Sequence, residues 1–483
     1  MAAVAVVVQF GVFKYFYPFT SYIHGDSFVY LDTAYNNKSI NTYMIGYSMF
    51  LRFFSTLSTS DLALAAFQYV LIVSSALFFS FTVFYFYCPR KWSQVVLLTF
   101  MIGNPLFIYL GNLVSSDGLF LAISLIWTSV LIFLINKPSL KLIIWHTLII
   151  YIAFTIRYNA LIYLFIASFA FAISKQALLL KTIGVGLASI SIGIFILNTG
   201  TQYKNLTGIW QYSPFAGWQL ANNAMYAYRY VDSAERKPVP LEFRALDNNI
   251  RAFFDSTRNT EKYPSEAIMA STYYMWSPSL PLFNFRNLLY KKDTTSSELK
   301  KWAMIAPFYK RYGIYIITHY PKYFLKYYIW PNAIKYYTPP VEFLGSYNSG
   351  RDDVAPIAQI WFHYKSRKVF TRAKPVEKVI LGYYPIISGT VNAILFFCLI
   401  SFILLNDTQT QPKLRKGILL GGTIWLLNAV FTISSSSAAL RFQSFPFILA
   451  LIFSLLLIDW MWQLAVQKSE PLEISFHPKP EPQ

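Results

Sequence analysis

A small set of residues in this chain is equipped to do chemistry. The stretch HGDSFVYLD (24–32) puts two carboxylates, Asp26 and Asp32, directly after the first apolar segment. A third acid, Asp117, ends the turn GNLVSSDG (111–118), and two arginines, Arg157 and Arg441, break or open apolar stretches. A carboxylate can take the proton of an attacking hydroxyl as general base. Arginine or lysine can neutralise the charge that grows on a departing phosphate. Whether these residues can act together depends on which side of a membrane each one faces.

The membrane follows from composition. Of 483 residues, 55% are hydrophobic and 13% charged, and mean hydropathy is +0.41. Soluble chains carry roughly 25% charged residues. The formal charge of +19 would suggest nucleic acid in a soluble protein. Here the basic residues fall in short loops and one long polar block, so they point to membrane orientation and an anionic ligand, with no nucleic acid. Cys88 and Cys398 are the two cysteines, too few for a disulfide framework or a Cys/His metal cluster. The N-terminus lacks a basic n-region and an evident cleavage site, which argues against a removable signal peptide. Its first span is short and contains Lys14, which leaves open whether Met1 is the true start.

About 20 apolar residues cross a bilayer. Ten candidate spans follow: 2–20, 62–87, 93–111, 118–135, 140–156, 158–174, 181–198, 378–405, 417–434 and 442–462. The fifth and sixth are two short helices or one long helix broken at Arg157. With the N-terminus inside, the inner loops CPRKW (88–92), NKPSLK (136–141), SKQALLLK (174–181) and NDTQTQPKLRK (406–416) are all basic, as the positive-inside rule asks. Both termini are then cytoplasmic.

The expected organisation is an all-α polytopic membrane protein. Residues 1–198 form an N-terminal membrane module of about seven spans, whose first outer loop, 21–61, carries the acids. Residues 199–377 form a mainly helical outer domain, 378–462 a C-terminal module of three spans, and 463–483 a disordered cytoplasmic tail. The outer block is rich in Tyr and Trp, and in it Lys and Arg outnumber Asp and Glu about two to one. Aromatic rings offer apolar faces to sugar and isoprenoid carbons while their polar tips stay wet. The segment WFHYKSRKVFTRAK (361–374) reads as an interfacial amphipathic helix. There is no internal repeat and no low-complexity tract.

This topology puts Asp26, Asp32, Asp117, Arg157 and Arg441 at one outer depth. Ionisable groups at membrane level point to function. Plainer readings stand beside that one. Asp117 follows two serines at a helix start and can serve as an N-cap. Arg157 and Arg441 can snorkel to the interface. Asp32 can be a surface acid, and His24 a structural neighbour. NKS (37–39) and NLT (205–207) fit glycosylation acceptors, a weak signal.

Several stretches resemble the GT-C superfamily of integral-membrane glycosyltransferases, in its bacterial aminoarabinose-transferase-like and protein-mannosyltransferase-like branch. GDSFVYLDTA (25–34) stands where that family has its first-loop acid, so Asp26 matches it. IGYSMFLRFF (45–54) is similar to the segment before the second span. NPLFIYLGNLVSSDGLFLAISL (104–125) looks like its Ser-Asp span opening, FTIRYNALIYL (154–164) like its arginine between hydrophobic halves, and RFQSFPFILALI (441–452) like its Arg-aromatic late span. Asp26 is followed by Ser27, so the family's paired acid is incomplete.

The resemblance implies an inverting transfer of a sugar from a polyprenyl-phosphate donor to a glycan, lipid or protein acceptor on the outer face of the inner (cytoplasmic) membrane. Asp26 would be the catalytic base, with Asp32 and Asp117 as supporting acids. Arg157, Arg441, Lys322 and Lys326 would bind the donor phosphate. A divalent metal is left open and is not required. Two alternatives remain: a lipid-linked oligosaccharide ligase or polymerase with a pyrophosphate donor, and a transporter. A transporter would call for midplane charges and inverted repeats.

Overall fold

The computed structural model describes residues 2–373, 376–405 and 412–469. Among them there is no strand, only two isolated bridges, Ser21 with Leu113 and Asp353 with Lys368. The chain is an all-α polytopic membrane protein.

Ten helices make the N-terminal part: α1 (Ala2–Phe16), α2 (Asp26–Tyr35), α3 (Gly46–Ser55), α4 (Asp61–Tyr87), α5 (Lys91–Gly103), α6 (Pro105–Gly111), α7 (Ser116–Asn136), α8 (Leu140–Ile156), α9 (Ile162–Ile173) and α10 (Leu178–Thr207). Local chemistry explains the starts. Ser60, Ser115 and Ser139 cap α4, α7 and α8, each hydroxyl accepting from a backbone N–H of the first turn. Pro105 starts α6 where its missing N–H costs nothing.

The polar block follows with α11 (Pro214–Tyr228), α12 (Arg244–Ser256), α13 (Tyr273–Trp276), α14 (Pro281–Leu289), α15 (Glu298–His319), α16 (Pro321–Phe324), α17 (Trp330–Tyr337) and α18 (Pro356–Phe362). A π-helical turn, Leu325–Ile329, joins α16 to α17. The last four helices are α19 (Val376–Gly382), α20 (Tyr384–Leu405), α21 (Pro412–Ser435) and α22 (Leu440–Ser469).

Among the described residues, seven helical segments are long and apolar enough to cross a membrane: Asp61–Tyr87, Lys91–Gly111, Ser116–Asn136, Leu178–Thr207, Val379–Leu405, Pro412–Ser435 and Leu440–Val466. The remaining three of the ten expected spans are shorter apolar helices, Ala2–Phe16, Leu140–Ile156 and Tyr158–Ile173. Two of these result from the break at Arg157. Its extended backbone, φ −148°, ends α8, and a 3-10 turn, Tyr158–Leu161, leads into α9. A stretch cut there leaves neither half at full length. The expected tail begins later than residue 463, because α22 continues to Ser469; residues 470–483 lie outside the described residues.

Helices α7 and α22 are buried on nearly all sides and form the centre of the bundle. A helix apolar all round belongs there. α10 is peripheral, with Ile190, Ile194 and Leu197 exposed. It runs on past residue 198, so its last turns stand among the polar block.

The polar block divides in two. Residues from Trp218 to Tyr328 share their own aromatic core. There α11 and α15 cross so closely that a Cβ on Gly217 would meet Ala306 O at 2.0 Å, which is why glycine stands at the crossing. The Trp218 indole N–H donates to Trp302 O at 2.9 Å across the same contact. Residues 344–373 instead join the core of the membrane helices. Of the expected amphipathic helix 361–374, residue 374 lies outside the described residues, and over 361–373 the helix does not form. His363 turns left-handed, φ +54°, and ends α18. The chain after it is held extended by Arg367, which donates to Val354 O at 2.7 Å and pairs with Asp353 at 2.9 Å.

Candidate active site

The opening stretch folds for a reason that lies in its glycine. Gly25 has φ +105°, a conformation that L side chains avoid. It turns the chain so that Asp26 begins α2. Ser27 fixes the turn by accepting from Ile23 N at 2.8 Å. The loop before it is strapped from the far end of the polar block. Ser21 Oγ accepts from Asn348 N at 3.0 Å, and Ser349 Oγ donates to Tyr22 O at 3.0 Å. Asn348, Ser349 and Gly350 all have positive φ, so the strap is itself strained backbone.

Arg441 opens α22 and reaches both acids. Its Nη1 stands 3.2 Å from Asp26 Oδ2 and 3.2 Å from Asp117 Oδ2, and its Nη2 stands 3.2 Å from Asp26 Oδ2. Arg157 donates to the other oxygen of Asp117, Oδ1. Two acids and two arginines from four separate chain segments therefore form one network of zero net charge. Asp117 lies in the first turn of α7, where the helix dipole also favours its charge. It is not the N-cap: Ser115 fills that role and donates its own hydroxyl to Asp117. The Phe442 ring packs on both guanidiniums, 4.2 Å from that of Arg441 and 4.5 Å from that of Arg157.

Exposure decides which member of the network meets a ligand. The side chain of Asp117 is 1% exposed, Arg441 8%, Arg157 17% and Asp26 23%. Asp26 is the accessible one. Tyr43 donates to its Oδ1 at 2.6 Å. Burial first, and the Asp26 charge next, push the Tyr43 phenol well above its usual range, so it remains a donor. Each carboxylate oxygen has two acceptor positions, so Asp26 keeps room for one more hydroxyl. Around Tyr43 the polar block supplies an aromatic wall: the rings of Trp276 and Phe215 lie 5.7 Å and 6.3 Å from it, and Tyr158 stacks on Phe215.

The turn that presents Arg441 is held from the polar block. Asn332 on α17 is fully buried. It donates to Thr432 O and Ile433 O at 3.0 Å each, and accepts from Ala438 N at 3.0 Å. Tyr328 and Asn223 add bonds to Ser436 O and Ser435 O.

The other expected site residues lie apart. Asp32 is at the far end of α2, where it accepts from Lys38 and Asn36. Lys322 and Lys326 are exposed, and among the described residues they make no hydrogen bond or ion pair with the network; Lys326 lies over the Tyr327 ring at 5.0 Å. Tyr43 and Asn332 had no signal in the sequence, because their partners are remote in the chain. The Oδ2 atoms of Asp26 and Asp117 share the Arg441 guanidinium. No family model, no curated protein and no solved structure matches the chain.

Proposed function

We propose that the chain is a GT-C-type membrane glycosyltransferase of about ten spans, counting the three short apolar helices as crossings. It moves a sugar from a polyprenyl-phosphate donor to a glycan, lipid or protein acceptor, at the outer face of the cytoplasmic membrane. One observation carries this reading. Asp26, Asp117, Arg157 and Arg441 converge from four chain segments, and the acid left accessible is beside an arginine and an aromatic wall.

The chemistry balances as follows. The acceptor hydroxyl oxygen attacks the anomeric carbon from the face opposite the phosphate. Its proton passes to Asp26. The anomeric C–O bond breaks, and its electron pair leaves with the phosphate oxygen as polyprenyl phosphate. Once Asp26 is protonated, Arg441 loses one of its two negative partners just as the leaving phosphate gains charge. The guanidinium can then stabilise that charge without a net change at the site. Tyr43 keeps the carboxylate oriented throughout.

Sugar transfer in membranes carrying the protein, supplied with polyprenyl-monophosphate sugars, tests the reading. Wild type should transfer, and folded, inserted Asp26→Asn should not. Equal transfer by both would remove Asp26 from the mechanism. Transfer from pyrophosphate donors alone would move the protein to the ligase class.

A further inference from the structure

The helix that carries Asn332 has two differently covered faces. Tyr328, Asn332 and Tyr336, each four residues from the next, are buried against α21 and the turn after it. Leu325, Trp330, Ile334 and Tyr337 are left exposed. Trp330, Ile334 and Tyr337 recur at helical spacing and share one side. The π-helical turn Leu325–Ile329 has more residues per turn than an α-helix, which brings Leu325 into the same row. Trp330 is 66% exposed and Ile334 53%. A row of large apolar side chains facing outward marks an interaction surface.

How far the helix descends tells what the row faces. Tyr328 donates to Ser436 O at 3.2 Å, at the polar-block end of α21. Tyr336 donates to Trp425 O at 3.3 Å. Trp425 stands about 15 Å down α21 from its end at Ser435, at 1.5 Å per residue. The Tyr337 ring lies 6.0 Å from that of Trp425, and the Tyr337 carbonyl accepts from Asn392 of α20 at 3.3 Å. Both α20 and α21 belong to segments long and apolar enough to cross a membrane. α17 therefore runs down the seam between two membrane helices. Their own outward sides are apolar, with Ile386, Leu426 and Val430 exposed.

The backbone at the far end of α17 suits a place inside the membrane. In hydrocarbon, backbone N–H and C=O groups need partners within the protein. Thr338 N donates to Ile334 O at 2.9 Å, and Tyr337 O has Asn392. Pro339 and Pro340, which turn the chain back, have no N–H to satisfy. Pro340 O accepts from Leu440 N at 2.9 Å, at the start of α22. A Cβ on Gly389 of α20 would meet Thr338 Cγ2 at 2.8 Å, so the glycine makes room for the return.

We propose that Trp330–Tyr337 is a re-entrant helix. It enters the membrane along α20 and α21 from the polar-block side and turns back at Pro339 and Pro340, and the acyl chains of that leaflet cover Trp330, Ile334 and Tyr337. Lys322 and Lys326, exposed one to two turns before Trp330, then stand at headgroup level, where basic side chains flank a membrane. Asn332 holds the turn before Arg441 from the opposite face of the same helix, so that turn is seated against lipid. No substrate enters this assignment, and it stands whether or not the chain transfers sugar.

Nitroxide collision rates in the full-length protein, reconstituted in phosphatidylcholine–phosphatidylglycerol vesicles, test this. In a Cys88→Ser, Cys398→Ala background, Trp330→Cys, Ile334→Cys, Ile194→Cys and Leu241→Cys each take one label. Ile194, exposed on α10, marks a lipid-facing position, and Leu241, exposed in the polar block, a wet one. Oxygen concentrates among acyl chains and a neutral nickel chelate in water, so the ratio of their collision rates reads the surroundings of each label. The ratios at positions 330 and 334 should match that at 194 and lie severalfold above that at 241. Ratios at both that match 241 overturn the proposal. Ile334→Asp and Leu241→Asp give a second reading without a label. The first should lower the melting temperature in vesicles and the second leave it unchanged, because a charge is costly among acyl chains and not in water. An unchanged melting temperature in Ile334→Asp also overturns the proposal, and neither result bears on sugar transfer.

Discussion

Arg441 Nη1 stands at the same 3.2 Å from Asp26 Oδ2 and from Asp117 Oδ2, so one N–H group ties the first polar loop to the start of the central helix α7. Removing it leaves two carboxylates facing each other with only Arg157 to compensate. Breaking a buried charge network by deleting one partner costs about 3–5 kcal/mol. Arg441→Met should therefore melt well below wild type in detergent, and its transfer rate should fall roughly 10²–10³-fold. Arg441→Lys keeps the charge without the fork and should recover part of the stability. A variant that keeps both melting point and rate would show that the network is ornamental.

Tyr43→Phe isolates the second anchor of Asp26. The 2.6 Å bond from the phenol is the Asp26 Oδ1 contact, and the ring remains to pack on Trp276 and Phe215. A hydrogen bond to a charged group contributes about 1.5–3 kcal/mol. The transfer rate should drop roughly 10–100-fold by the same principle, with little change in donor KM. A change in KM alone would assign Tyr43 to binding instead.

Asn332 carries the turn that presents Arg441, and it does so with one amide. Asn332→Leu fills the space but leaves the Ile433 carbonyl and the Ala438 N–H without the partner that Asn332 gave them, while Thr432 O keeps the Ser436 N–H. Each buried orphan costs about 1–3 kcal/mol. The variant should lose at least about 2 kcal/mol on that scale. It should also lose transfer activity, although Asn332 makes no bond to the network. Asn332→Asp keeps the acceptor for Ala438 N and should fall between the two. Full activity in a destabilised Asn332→Leu would show that the position of Arg441 does not depend on this strap.

What the sequence made legible was what local signals write. Apolar runs and basic short loops mark the helices of the bundle, and all ten apolar stretches are helical. The same signals put Asp26, Asp117, Arg157 and Arg441 at one depth, and the structure joins them. Asp32 shows the limit. Reading 24–32 as a loop kept Asp32 beside Asp26 as a supporting acid, but the chain is helical from Asp26. Six residues at about 100° each put Asp32 some 120° round the helix from Asp26, where it meets Lys38 instead. Asn332 and Tyr43 left no trace because their partners are remote: Asn332 meets the turn about a hundred residues on, and Tyr43 depends on an aromatic wall from another module. The break of the 140–173 stretch at Arg157 was legible, but the lengths of its halves were decided by an extended residue no pattern marks.

Glu342 has a signature in stability against pH. Burial, opposed by Lys335 and Arg441, holds the Glu342 carboxyl above its ordinary value. The folded value then exceeds the unfolded one, which lies near the ordinary ~4.3. Between the two, the native state binds more protons than the unfolded state, so stability falls as pH rises through that window. The favourable contribution is complete below the unfolded value and gone above the folded one. Asp255 shifts the opposite way and Glu266 the same way, so the difference between Glu342→Gln and wild type is the clean quantity. Glutamine carries no charge at any pH. Its melting temperature should match wild type near pH 4 and exceed it at pH 7, with the gap opening across the interval between. A Glu342→Gln protein that melts below wild type at pH 7 would mean that the attraction of Lys335 and Arg441 outweighs the burial of the carboxylate.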